Sequence, residues 1–180
     1  MERRTVMSRE YKVMLRPSRF KGNEKALLEA ADALWHDFSA SVRKKIVVGT
    51  DGDLTRIATR RLITFYDTRD RLLNEARYIF RERRGADGSD RDITLKFRHP
   101  DRYVAQDRNM DASGSTEART KFEEDIKAPF LSLYSFSTRL KIDNGTAFKR
   151  LGDIRLLFAD VANKIDKFQD NTKLAPVNRF

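Results

Sequence analysis

Apolar positions along the chain alternate with period 2 in several short runs and recur every three or four residues in two longer ones. The pattern predicts strands interleaved with helices. Tyr11-Lys12-Val13-Met14-Leu15, following Arg9-Glu10, reads as a strand that Pro17 stops. Glu10, Lys12 and Met14 share one of its faces; Arg9, Tyr11, Val13 and Leu15 share the more apolar other, which is expected to pack. From Asn23, a plausible N-cap, Leu27, Ala31, Leu34, Trp35, Phe38 and Val42 keep helical spacing to about Lys44. This predicts a helix that covers a sheet, with Trp35 in the packed stripe and His36 off it. A turn cluster at residues 49–53 precedes a strand at 62–67 and a short helical turn around 70–76.

Two further strands follow, Tyr78-Ile79-Phe80-Arg81-Glu82-Arg83 and Ile93-Thr94-Leu95-Lys96-Phe97, joined by Gly85-Ala86-Asp87-Gly88. Period 2 puts Arg81 and Arg83 on the face of Ile79 and turns Tyr78, Phe80 and Glu82 the other way. Thr94 and Lys96 face together, opposite Ile93, Leu95 and Phe97. Residues 98–118 are polar and read as a loop, expected to be mobile at 111–115. In the strand at 119–126, Arg119, Lys121, Glu123 and Asp125 share a face; carboxylates two residues apart on a strand lie roughly 7 Å apart, close enough to flank a hard cation. An apolar-aromatic run at 131–142 ends at an Asn144-Gly145 turn. Phe148, Leu151, Ile154, Phe158, Val161, Ile165 and Phe168 then trace a long helix, after which residues 174–180 leave room for the start of one more strand.

Charge changes this picture from a fold to a ligand class. At 180 residues the chain is expected to form one domain with a real core. Its 37 Lys and Arg against 27 Asp and Glu give a net charge of +10, which favours polyanionic partners: nucleic acid, an anionic membrane surface or phosphorylated small molecules. The bland alternative is solubility alone. With no cysteine, disulfides, thiolate metal sites and cysteine nucleophiles are excluded. Only His36 and His99 are available for a histidine-based zinc site or a Ser-His-Asp triad, so neither is expected. The 49–53 cluster lacks the remaining ligands of a calcium loop. No apolar run approaches the ~20 residues of a membrane span and no signal-peptide core follows the basic N-terminus, so the chain reads as cytoplasmic.

Taken in order, the Glu10-x-Lys12 strand, the helix, the Tyr66-Asp67-Thr68 strand end, Arg81-x-Arg83, Thr94-Leu95-Lys96 and the acidic strand resemble the CYTH domain, or triphosphate tunnel metalloenzyme, superfamily over about residues 8–142. That family includes class IV adenylyl cyclases, thiamine triphosphatases, inorganic triphosphatases and RNA triphosphatases. The resemblance implies an α+β fold, an antiparallel sheet curling into a partial, tunnel-like barrel flanked by helices, whose inward face binds a triphosphate with Mg2+ or Mn2+. By the same resemblance Lys12, Arg81, Arg83 and Lys96 would bind phosphate, and Glu10, Glu123 and Asp125 the metal. The chemistry suits those residue types: arginine forks onto phosphate oxygens, lysine acts as a point charge, and carboxylates hold a hard cation that bridges phosphate oxygens.

Two departures from the family pattern stand out. Ser8 occupies the place of the first glutamate of the N-terminal motif, and the family continues with further tunnel strands beyond the last one here. The chain is therefore expected to be a truncated or a shortened, open member of the fold, whose unpaired edge would favour a partner strand or a homodimer. Two functions stay open: metal-dependent hydrolysis (or cyclisation) of a triphosphorylated or polyphosphate substrate, and capture of polyphosphate, nucleotide or RNA without turnover. A nucleic-acid protein unrelated to the family is a weaker third, because cations segregated on strand faces among carboxylates suit a compact phosphate better than a duplex backbone.

Overall fold

The computed structural model describes residues 4–46, 49–88, 90–113 and 117–180. It divides into two compact units, one of Val13–Arg60 and one formed by the chain up to Lys12 together with Arg61–Phe180. The larger unit is α+β and is built on a seven-stranded sheet. In chain order its elements are β1 (Ser8–Lys12), β2 (Arg61–Thr68), α2 (Leu72–Glu75), β3 (Tyr78–Gly85), β4 (Arg91–His99), α3 (Arg102–Gln106), β5 (Arg119–Lys127), β6 (Leu131–Lys141), α4 (Leu151–Leu157) and β7 (Leu174–Arg179); the smaller unit contains α1 (Glu24–Lys45).

The strands lie in the order β1-β5-β6-β4-β3-β2-β7, and the two ends do not meet. The sheet is thus a partial, curled one rather than a closed barrel. All neighbours are antiparallel except β1 and β5, which run parallel. The β3-β4 hairpin follows from its turn: Gly88 takes φ +75, a region open to glycine, and Gly85 donates its N–H to the Asp90 carbonyl at 2.8 Å. At the far end of β2, Asp67 stops the strand by serving the next helix. Its Oδ1 accepts from the Leu73 N–H at 3.0 Å and its Oδ2 from the Asn74 N–H at 3.1 Å, which satisfies the free donors of α2.

One face of the sheet is the core. Tyr78 and Phe80 of β3, Ile93, Leu95 and Phe97 of β4, Phe122 of β5 and Phe136 and Leu140 of β6 are buried there. Leu73, Ala105, Met110, Leu151, Ile154, Phe158, Val161 and Ile165 belong to the same buried cluster. Gly152 lies so close to the Asp170 backbone that an added Cβ would come within 3.1 Å of the Asp170 carbonyl oxygen, and its N–H donates to that oxygen at 3.0 Å.

Three expectations are corrected. The strand at the N-terminus ends at Lys12, and its more apolar side does not pack: Tyr11 is 78% exposed and Val13 lies outside the strand. As an edge strand, β1 is held instead by pairing with β5 and by an ion pair from Arg9 to Glu124 at 2.7 Å. The helix α1 starts at the expected Asn23 cap, whose Oδ1 accepts from the Ala26 N–H at 3.0 Å, and lies in the Val13–Arg60 unit. The long helix at 148–168 is broken at Phe158 (φ -132) into α4 and a 3-10 stretch, Ala159–Lys164. Both helix types bring positions three apart to one side, so the same apolar spacing is buried although the helix does not run through. Finally, the polar region after Phe97 holds two more residues of β4 and then α3, capped by Asp101, which accepts from the Tyr103 N–H at 2.7 Å. Of the segment expected to be mobile, residues 114 and 115 lie outside the described residues; Ser113 is anchored by its N–H to the Leu157 carbonyl at 2.8 Å.

Candidate functional site

The face of the sheet opposite the core carries the polar alternate positions of five strands, and register decides which of them are neighbours, because directly paired residues point to the same side. One row crosses β5, β6, β4 and β3 as Arg119, Arg139, Thr94 and Arg81. The next is Lys121, Ser137, Lys96 and Ile79, and a third is Glu123, Ser135 and Arg98, with Ser8 of β1 paired to Glu123. On the other side of the arginine row, Lys141, Asp92 and Arg83 form a fourth. At the β1 end, Glu10 pairs with Asp125. All seven residues singled out in the sequence, Glu10, Lys12, Arg81, Arg83, Lys96, Glu123 and Asp125, therefore stand on one face of one sheet.

The face is not fully solvated: Asp125 is 1% exposed, and Glu123, Thr94 and Ser135 are buried with it. Its carboxylates are taken up by cations. Lys12 Nζ sits between Asp125 Oδ1 at 2.7 Å and Glu10 at 3.0 Å, while Arg98 reaches Asp125 Oδ2 at 3.3 Å. Lys96 Nζ contacts Glu123 at 3.4 Å, and the Ser8 hydroxyl donates to the other oxygen of Glu123 at 3.1 Å. Arg139 pairs with Asp92 at 2.6 Å. Ser8 thus serves as a neutral donor to an acid.

Arg81 and Arg83 are different. Neither makes an ion pair or side-chain hydrogen bond with another described residue, and the Nε of each is buried without a partner, as is the Nε of Arg98. Burial, followed by the charge of Arg83 and those of Arg98 and Arg139, pushes Arg81 down to about 10 against the partial relief of Asp92. A guanidinium remains charged at neutral pH, so the shift expresses an uncompensated positive charge rather than a lost proton. Lys96 is also pushed down, by burial first and by Arg98, with Asp125 and Glu123 opposing.

No family model, curated protein or solved structure matches the chain. The resemblance to CYTH proteins therefore rests on the motifs alone. Among the described residues no three acidic or histidine side chains converge as a metal cluster. Glu10, Glu123 and Asp125 are oxygen donors on adjacent strands, the right kind for Mg2+ or Mn2+, but as they stand each is turned onto a lysine, and Lys12 fills the space between two of them.

The sequence reading did not single out Arg98 and Arg139. The signal was present in both cases: Thr94, Lys96 and Arg98 continue one alternation, and Ser135, Ser137 and Arg139 another.

The ion pairs at β1 make acid stability a readout of this edge. Burial raises Asp125, but the hydrogen bond from Lys12 and the charges of Lys96 and Arg98 outweigh it, and the net shift is downward; Glu124 is lowered first by the hydrogen bond from Arg9. Carboxylates lowered in the folded state add stability above their ordinary range, about 4, and that contribution is lost as pH falls through the lowered folded values. The melting temperature is therefore expected to fall as pH is taken below about 4, and Asp125→Asn to flatten that fall. An equally steep acid limb in the variant would remove Asp125 from the account.

Proposed function

We propose that the charged face of the sheet binds a compact, multiply charged phosphate chain: the triphosphate of a small molecule or inorganic polyphosphate. The observation that supports this reading most directly is the pair Arg81 and Arg83, half-buried on one face of β3 with no ion pair to a described carboxylate, although Asp92 stands across from Arg83, and with Lys96, Arg98 and Arg139 beside them. A buried like-charge cluster is costly unless an anion completes it, and a chain of phosphates is an anion with the matching repeat of charge. Arginine can engage its oxygens in a forked geometry, and Lys12 and Lys96 would exchange an internal carboxylate for phosphate.

Metal-dependent hydrolysis is the second reading, favoured by the placement of Glu10 opposite Asp125 with Glu123 two residues along the same strand. If phosphate drew Lys12 away, these three side chains would be free to hold Mg2+ or Mn2+, which would there neutralise phosphate oxygens and make phosphorus easier to attack.

Thermal unfolding with tripolyphosphate in metal-free buffer tests the first reading. A raised midpoint is expected, shrinking as salt screens the face. Phosphate release on adding Mg2+ or Mn2+ would carry the second reading; protection without release would leave binding alone. If a short RNA protects the protein and tripolyphosphate does not, the nucleic-acid alternative replaces both.

A further inference from the structure

The charged face changes character where the sheet passes from β3 to β2 and β7. Across β5, β6, β4 and β3, the two rows that hold the arginines are Arg119, Arg139, Thr94 and Arg81, and Lys141, Asp92 and Arg83. Register carries both rows on into apolar residues. Arg83 pairs with Ile63, whose N–H donates to the Phe180 carbonyl at 2.7 Å and whose carbonyl accepts from the Phe180 N–H at 2.9 Å. Arg81 pairs with Phe65, and Phe65 in turn with Asn178. Ile63, Phe65, Asn178 and Phe180 therefore stand on the same side of the sheet as the two arginines. The Phe65 and Phe180 rings meet edge to face, with centroids 6.1 Å apart and planes at 87°. Ile63 and Phe65 are half-buried, whereas Phe180 is 68% exposed. Asn178 Oδ1 accepts from the Arg179 N–H at 3.1 Å, and its amide nitrogen makes no hydrogen bond with a described residue.

We infer that this apolar corner holds a heteroaromatic base joined to the phosphate chain, so that the ligand is a nucleoside triphosphate and not an inorganic polyphosphate. The inference rests on the reading of the face as a phosphate site and narrows it. An inorganic chain is charged along its whole length and gains nothing from phenylalanine beside it, since burying its oxygens there costs hydration without a hydrogen bond in return. A base gains on both counts. In the corner between two perpendicular rings, a third ring lies flat on one and presents its edge to the other, the two favoured aromatic arrangements. The Asn178 amide supplies a donor for a ring nitrogen or carbonyl. The spacing also suits: β2 lies one strand spacing, about 5 Å, from the arginines of β3, and β7 two, about 10 Å. That is the separation a sugar sets between phosphates and base.

ATP and tripolyphosphate carry three phosphates each, and tripolyphosphate has the larger negative charge, so cations alone rank the inorganic ligand first. The base subsite reverses that order. By isothermal titration in metal-free buffer, ATP is expected to bind at least tenfold more tightly than tripolyphosphate. Phe180→Ala and Phe65→Leu should each bring ATP close to the level of tripolyphosphate, whose own Kd should change less than twofold, which also shows that the variants are folded. Trp35 is the one tryptophan of the chain, so a Trp35→Phe protein carrying Phe180→Trp reports from the subsite alone. Its emission should be quenched by ATP and not by tripolyphosphate. Tripolyphosphate binding as tightly as ATP, an ATP preference that survives both phenylalanine substitutions, or equal quenching by the two ligands would each overturn the base subsite and leave the phosphate reading standing. Binding of neither ligand would end both.

Discussion

Arg91→Met is expected to destabilise the sheet unit by about 3–5 kcal/mol, the range for stripping one partner from a buried ion pair. Arg91 stands at the start of β4 on the core face, and Glu82 stands beside it on β3. The guanidinium holds both oxygens of Glu82, with Nε at 2.9 Å and a terminal nitrogen at 3.1 Å, and its other nitrogen donates to the carbonyls of Asp143 and Asn144 at 2.8 and 3.0 Å. Both side chains are buried, and the Tyr66 hydroxyl completes Glu82 at 3.1 Å. Burial alone would raise Glu82, but the hydrogen bonds and charge of Arg91, with Tyr66 and Arg84, bring it below its usual value. Methionine fills much of the same space and leaves the carboxylate without its main partner. The loss should be read as a fall in the urea midpoint at unchanged m-value. A second variant separates the pair from its surroundings: Arg91→Met with Glu82→Leu removes both charges and should recover much of the stability, since the penalty lies in the stranded carboxylate. A loss below about 1 kcal/mol in the single variant would show that water reaches Glu82.

How much of this was legible in the sequence depended on the range of the interaction. Strand faces are a local property with period 2, and so Arg81 with Arg83, Thr94 with Lys96, and Glu123 with Asp125 sorted correctly before any pairing was known. The hairpin of β3 and β4 was legible for the same reason, with its glycines in the turn. The pairing of β1 with β5 joins residues 115 apart, as in Ser8 and Glu123, and no local pattern encodes it or its parallel direction. Partner choice among charges was equally hidden. Alternation turned Glu82 to the core side, but only the register of the hairpin shows that Arg91 waits there. It placed Glu10, Glu123 and Asp125 on one face as candidate metal ligands, but not that Lys12 and Lys96 would take them. Apolar spacing also says which residues are buried more firmly than what buries them. Residues 148–165 pack as their spacing requires, through a broken helix, whereas the stripe of α1 is equally regular and none of its members is fully buried.

The largest functional effect is expected at Arg81, and its sign on stability is the informative part. Arg81→Met should weaken tripolyphosphate binding by roughly 1.5–3 kcal/mol, the range for hydrogen bonds to charged groups, which is about a 10- to 150-fold rise in Kd. The same substitution should leave the unliganded protein as stable as before or more so. Arg81 is pressed by Arg83, Arg98 and Arg139 and has no ion pair with a described residue, so removing its charge relieves repulsion while methionine keeps the apolar stem packed. Arg139→Met supplies the contrast: it strands the buried Asp92, whose Oδ2 it holds at 2.6 Å, and should lower stability. A residue kept only for the fold would behave like Arg139, whereas one kept for a ligand sacrifices stability in its absence. Isothermal titration in metal-free buffer, with urea unfolding of each unliganded variant, reads both quantities. Unchanged affinity in Arg81→Met and Arg83→Met together would remove the site. Weakened binding with a destabilised unliganded protein would instead show that Arg81 supports the sheet and touches the anion only through it.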